Sequence, residues 1–160
     1  MLRRAPLPLL AALSAVVVAL VVGGVTLLLT RPLQVSAPPG AGDPACARLA
    51  AQLPDQVGAL QRRATSSDSP GVAAWGDPAI IWLCGVAEPG PSADCLDVSG
   101  VDWIFVPLGD ADDGVAFTSV GRTPAVQVLV PHAYEPEPLQ LPAFSDVIAP
   151  LPQGPRRCSD

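Results

Sequence analysis

Few side chains in this 160-residue chain are of a type and spacing that could do chemistry. The single histidine, His132, follows Pro131 and precedes Tyr134. A catalytic histidine needs a nucleophile and an orienting acid within hydrogen-bond reach. No Gly-x-Ser-x-Gly elbow occurs, so His132 is expected to be an exposed loop residue. Lysine is absent, which excludes Schiff-base chemistry, a Ser-Lys dyad and a phosphate-loop lysine. Asp110, Asp112, Asp113 and Gly114 begin like a calcium loop. However, Val115 and Gly121 stand where such a loop needs its glycine and its bidentate glutamate. A solvated hairpin turn on Asp113-Gly114 fits these residues better. Arg122 precedes the last predicted strand and Asp102 lies on a nearby one, so a structural ion pair is expected between them; the sharper alternative is capture of a carboxylate or phosphate by Arg122. Trp75, Trp82 and Trp103 could form a platform for a glycan, although tryptophan in a small sheet more often fills the core. Arg122, Asp102, Trp75 and Trp103 are therefore weak ligand-contact candidates. No catalytic residue, cofactor or metal site is expected.

The other reactive side chains are Cys46, Cys84, Cys95 and Cys158. An even count fits two disulfides in an oxidising compartment, with three connectivities open. The expected pairs are Cys84–Cys95, closing a short Pro/Gly-rich loop, and Cys46–Cys158, tying the first helix to the C-terminal tail. Zinc is the alternative, but the spacings resemble no finger.

The compartment is set by residues 7–29, an uncharged run of Leu, Val and Ala. As a helix it would reach about 35 Å, enough to cross a hydrocarbon core of about 30 Å. It is too long for the apolar region of a cleaved signal peptide and reads as an uncleaved signal anchor. Arg3 and Arg4 precede it and only Arg31 flanks its far end, so the N-terminus is expected in the cytoplasm and the remainder outside, at the cell envelope. Ala11, Ala15, Ala19 and Gly23 recur every fourth residue, a stripe on which a partner membrane helix could pack. The expected partition is a cytoplasmic stub (1–6), a transmembrane anchor (7–29), a Pro/Gly-rich linker (30–43) and one extracytoplasmic domain (44–160).

All 15 acidic residues lie from Asp43 onward. Against Arg48, Arg62, Arg63, Arg122, Arg156 and Arg157 they leave nine net negative charges. Such a surface repels nucleic acid and anionic head groups.

Asp43 and Pro44 can cap and begin a helix with Cys46, Leu49, Ala50 and Leu53 on one face. After Pro54, a shorter helical turn is expected to carry Val57 and Leu60. Strands follow at Val72 to Trp75, Ala79 to Cys84, Val101 to Leu108, Val115 to Val120 and Ala125 to Val130, the last bracketed by Pro124 and Pro131. A short helix with Phe144, Val147 and Ile148 closes the chain. The expectation is an α+β domain with an antiparallel sheet of about four or five strands covered on one face.

Ala74-Trp75-Gly76-Asp77-Pro78, Cys84-Gly85-Val86, Gly100-Val101-Asp102-Trp103, Gly121-Arg122-Thr123-Pro124-Ala125-Val126 and Val130-Pro131 succeed one another in this order. Together they resemble the actinobacterial domain-of-unknown-function 3515 family. The family's usual arginine before Cys-Gly-Val and asparagine before Gly-Val-Asp-Trp are replaced here, the latter by Ser99. The resemblance implies a short protein with an N-terminal membrane anchor and an exported domain, and implies no activity. The function expected is that of a membrane-anchored envelope module that binds a protein or cell-wall component. The alternative is a small exported enzyme or ligand-binding domain using Asp102, Arg122 and the acidic loop. Convergence of Asp102, Arg122 and His132 in one concavity would favour the alternative.

Overall fold

The structure, a computed structural model, describes residues 17, 18, 20, 31–109 and 113–158. The chain forms two compact units, Met1–Pro32 and Leu33–Asp160. In the first, Val17, Val18 and Leu20 are helical and exposed. Apart from these three positions, the expected anchor and its Ala11, Ala15, Ala19 and Gly23 stripe lie outside the described residues. Among the described residues, no helix is long and apolar enough to cross a membrane.

The second unit is mainly sheet. A helix α1 (Pro44–Ala50) is followed by strands β1 (Gln56–Val57), β2 (Leu60–Arg63), β3 (Val72–Trp75), β4 (Ile80–Val86), β5 (Cys95–Val98), β6 (Val101–Pro107), β7 (Val115–Ser119) and β8 (Ala125–Val130). Two 3-10 turns, His132–Tyr134 and Glu137–Gln140, lead into a closing helix α2 (Pro142–Ile148). The eight strands form one sheet in the order β1-β2-β3-β4-β8-β7-β6-β5. All the pairings are antiparallel, so two four-stranded meanders meet where β4 pairs with β8.

The expected fold of four or five strands is therefore corrected to eight antiparallel strands with two short helices. Two misreadings account for the difference. Val57 and Leu60 are three residues apart, which imitates a helical face, yet they pair directly across the β1–β2 hairpin. Residues 95–98 look like the rim of a loop, yet they pair with β6 through a two-residue turn at Ser99-Gly100. Ser99 (φ 53°) and Gly100 (φ 74°) are both left-handed, as a type I′ hairpin requires.

One face of the sheet carries the core. Cross-strand partners share a face, and the pairings put Trp75, Ile80, Trp82, Val126, Val128, Phe117 and Trp103 on the same side. All seven are buried, and α2 covers them with Phe144 and Ile148. Phe144 meets Trp75 edge-on, with ring centroids 5.3 Å apart, and lies 5.7 Å from Trp82.

Helix α1 begins as expected, with the Asp43 carboxylate accepting from the Ala45 amide at 2.7 Å. The segment before it is mostly exposed but is pinned to the sheet unit at a few points. Leu33 bridges to Thr65, Ala41 is buried, and the Gly40 amide donates to the Gly85 carbonyl at 3.1 Å. Gly85 has φ 84°, and a Cβ there would come within 2.2 Å of the Gly40 backbone. The glycine of Cys84-Gly85-Val86 is thus required by a close backbone approach.

The disulfides are Cys46–Cys84 and Cys95–Cys158, which corrects the expected pairing. Cys84 shares the core face with Val126, hence with Ser119, Trp103 and Leu96, so the neighbouring Cys95 faces the opposite side. Strands β8, β7 and β6 also intervene between the two cysteines. At about 4.8 Å per strand step the separation is roughly 19 Å, far beyond the reach of one disulfide. Each bridge instead staples one meander, the first to α1 and the second to the C-terminal tail.

Candidate functional site

Arg122 lies in the connection just before β8 and is buried. Its guanidinium donates to the carbonyls of Ala149 (3.1 Å), Gly100 (3.1 Å) and Leu151. These partners include the C-terminal end of α2, where carbonyls lack helical partners and the helix dipole favours a cation. Burial pulls the Arg122 pKa below the ordinary arginine range; Arg157 adds to this, and Asp102 opposes it. The Arg122 Nε–H is buried and unpartnered. Asp102 accepts from the Cys158 amide at 3.2 Å. Arg122 and Asp102 feel each other's charge, and each holds backbone of the C-terminal segment.

The neighbouring groups are engaged in the same way. The Gly121 amide donates to the Glu88 carboxylate and its carbonyl accepts from Gly154. Arg156 pairs with Glu88 and donates to the Pro89 carbonyl. A cavity of about 100 Å³ lies beside Cys95, walled by Pro89, Pro91, Ile104 and Val120.

The tryptophans do not form an exposed platform: Trp75, Trp82 and Trp103 are each 0% exposed. The Trp75 indole donates to the Pro54 carbonyl at 3.0 Å and the Trp103 indole to the Ser145 hydroxyl at 3.1 Å. The Trp82 indole N–H is buried without a partner.

His132 lies beyond the opposite end of β8, so it does not converge with Arg122 and Asp102. Nor is it a free loop histidine. Its Nδ1 is in direct contact with the Glu137 carboxylate and 3.3 Å from that of Glu135. The Glu137 side chain is only 13% exposed. It borders a cavity of about 190 Å³ with Pro138 and, from the core face of β5–β7, Leu96, Phe105, Val115 and Phe117. Sequence reading passed over this cluster because its acids lie in a Pro-rich stretch with no familiar spacing. Three charged or titratable side chains within six residues were the available signal. Of the acidic turn, Asp110 and Asp112 lie outside the described residues; Asp113 and Gly114 precede β7.

A family model described as "Protein of unknown function (DUF3515)" matches residues 8–156. The chain belongs to that family. No curated protein and no solved structure matches it. The motifs behind the resemblance now have physical roles. Cys84 and Gly85 hold α1 and the segment before it, whereas Asp102, Trp103, Gly121 and Arg122 hold α2 and the C-terminal tail.

Proposed function

We propose that this member of the DUF3515 family is an extracytoplasmic module of the cell envelope that acts by binding an envelope protein or cell-wall component. What carries this reading is that all four cysteines are joined in two disulfides, which bind the helix and the tail to the sheet. Disulfides of this structural kind persist outside the reducing cytosol. The acidic balance of the domain disfavours nucleic acid and anionic lipid as partners. The enzymatic alternative loses its main support, since Arg122 and Asp102 are committed to backbone groups and stand apart from His132.

The compartment is tested by alkylating living cells with a thiol reagent before lysis and weighing the intact chain. The expected result is no adduct on Cys46, Cys84, Cys95 or Cys158 until a reductant is added. Four adducts without reductant would place the chain in a reducing compartment and overturn the reading.

A further inference from the structure

We infer that His132, Glu135 and Glu137 form a binding site for one divalent transition-metal ion of the zinc type. One ligand atom from each of the three lies within 4.8 Å of the others. Zinc bonds of about 2.0–2.1 Å in tetrahedral array put neighbouring ligand atoms about 3.3 Å apart. The His132 Nδ1 to Glu135 Oε1 distance is 3.3 Å, already that edge. Glu137 touches the imidazole directly, so an ion entering between them displaces that contact.

Charge argues the same way. Two carboxylates converge on one imidazole, and the Glu137 carboxylate is held largely away from water. Like charges at such separations repel, most strongly at the sheltered Glu137, whereas the Glu135 side chain is 66% exposed and meets water. A divalent cation offsets that repulsion, whereas the imidazole can contribute at most one positive charge. One nitrogen and two oxygen donors suit zinc and its neighbours, and three protein ligands leave a fourth position open.

The backbone under the site is stiff. Pro131, Pro136 and Pro138 interleave with the ligands, and each proline fixes its own φ. The Tyr134 hydroxyl donates to the Pro78 carbonyl, fastening the first 3-10 turn to the β3–β4 connection. Because Glu137 also lines the cavity of Phe105 and Phe117, a bound ion would sit beside an apolar recess. This inference does not depend on the compartment proposed above.

The test uses the untagged, oxidised full chain in a mild non-ionic detergent and zinc alone as the probe. Competition is low, because His132 is the only histidine and no cysteine is free. Equilibrium dialysis with elemental analysis should find one zinc per chain. Zinc should also slow diethyl pyrocarbonate modification of His132 at least tenfold, a readout that needs no variant. Glu137→Gln, which nearly preserves shape, should weaken binding at least tenfold, whereas Asp113→Asn in the acidic turn should leave it unchanged. No stoichiometric zinc, no protection of His132, or binding that survives Glu137→Gln and falls with Asp113→Asn would each overturn the assignment.

Discussion

The two ends of β8 use charge in opposite ways. At its start, Arg122 and Asp102 are tied to backbone groups of Gly100, Ala149, Leu151 and Cys158. At its far end, His132, Glu135 and Glu137 face one another beside an apolar recess. The first arrangement converts charge into attachment, because a buried cation or anion left without hydrogen bonds would be costly. The second leaves side-chain donor atoms facing each other. A charged residue inside a recognisable motif is thus not by itself a ligand site; what matters is whether its hydrogen-bonding capacity is already consumed by the fold.

The largest effect should come from cutting the tail loose at the Arg122 end. The Cys95–Cys158 bridge spans 63 residues of sequence. On the loop-entropy account it contributes on the order of 4 kcal/mol. Cys95→Ala with Cys158→Ala should lower the denaturant midpoint accordingly and expose the Trp103 region to fluorescence quenching. A loss below about 1 kcal/mol, no more than one ordinary hydrogen bond contributes, would mean that Arg122 and Asp102 hold the tail unaided.

Next in size is the comparison itself. Arg122→Ala removes donors from three carbonyls, and with charge-assisted bonds at about 1.5–3 kcal/mol each, partly replaced by water, a net loss near 3 kcal/mol is expected. Arg122→Lys should recover little, since an ammonium cannot reproduce the planar fork. His132→Ala should cost under about 1 kcal/mol in the absence of metal, as for a partly exposed ion pair. Urea titration of the three variants measures all of this. A reversed ranking would abolish the distinction between the two ends.

Sequence reading reached some of this and missed the rest for definable reasons. Local signals with few competitors survived: the Asp43-Pro44 helix start, the strands Val72 to Trp75 and Ala125 to Val130, and the apolar closing helix. What failed was long-range. Disulfide connectivity depends on which strands lie between two cysteines and which face each occupies, and neither follows from spacing along the chain. The two-residue β1 has no alternation to read, and β5, no longer than β3, lacks the wholly apolar run that marks β3. The His132 cluster was legible as composition but not as geometry, because two 3-10 turns fold its ligands together. Arg122 was legible as important, but its carbonyl partners lie 22 to 29 residues away.

A smaller effect, and a stabilising one, concerns Ser99. Its φ of 53° is a conformation that asparagine tolerates far better than serine. Asn-Gly is also the favoured pair for a type I′ turn. Ser99→Asn should therefore raise stability by about 0.5 kcal/mol, a fraction of the left-handed penalty of about 1–2 kcal/mol for ordinary residues. Because Gly100 supplies a carbonyl to Arg122, the gain should vanish in the Arg122→Ala background if the turn and the clamp act together. Simple additivity, read from a double-mutant cycle, would separate them.

The smallest expected effect lies at the other end, in Tyr134, the only tyrosine of the chain. Partial burial, and secondarily Asp77, raise its phenol pKa above the usual value, with Arg63 opposing. Folding therefore favours the neutral phenol. The stabilisation this gives is present in full below about pH 10, the ordinary pKa, and is lost as pH rises through the higher value of the folded chain. A near-ultraviolet phenolate titration of the oxidised chain should have its midpoint above that of the urea-unfolded chain, and Tyr134→Phe should remove this contribution to alkaline stability. If the folded midpoint fell to the unfolded one, the phenol would lie in open water, away from Asp77 and from Pro78. The turn carrying His132 would then lack its fastening, and the contrast between a committed end and a poised end would reduce to one between an ordered end and a loose one.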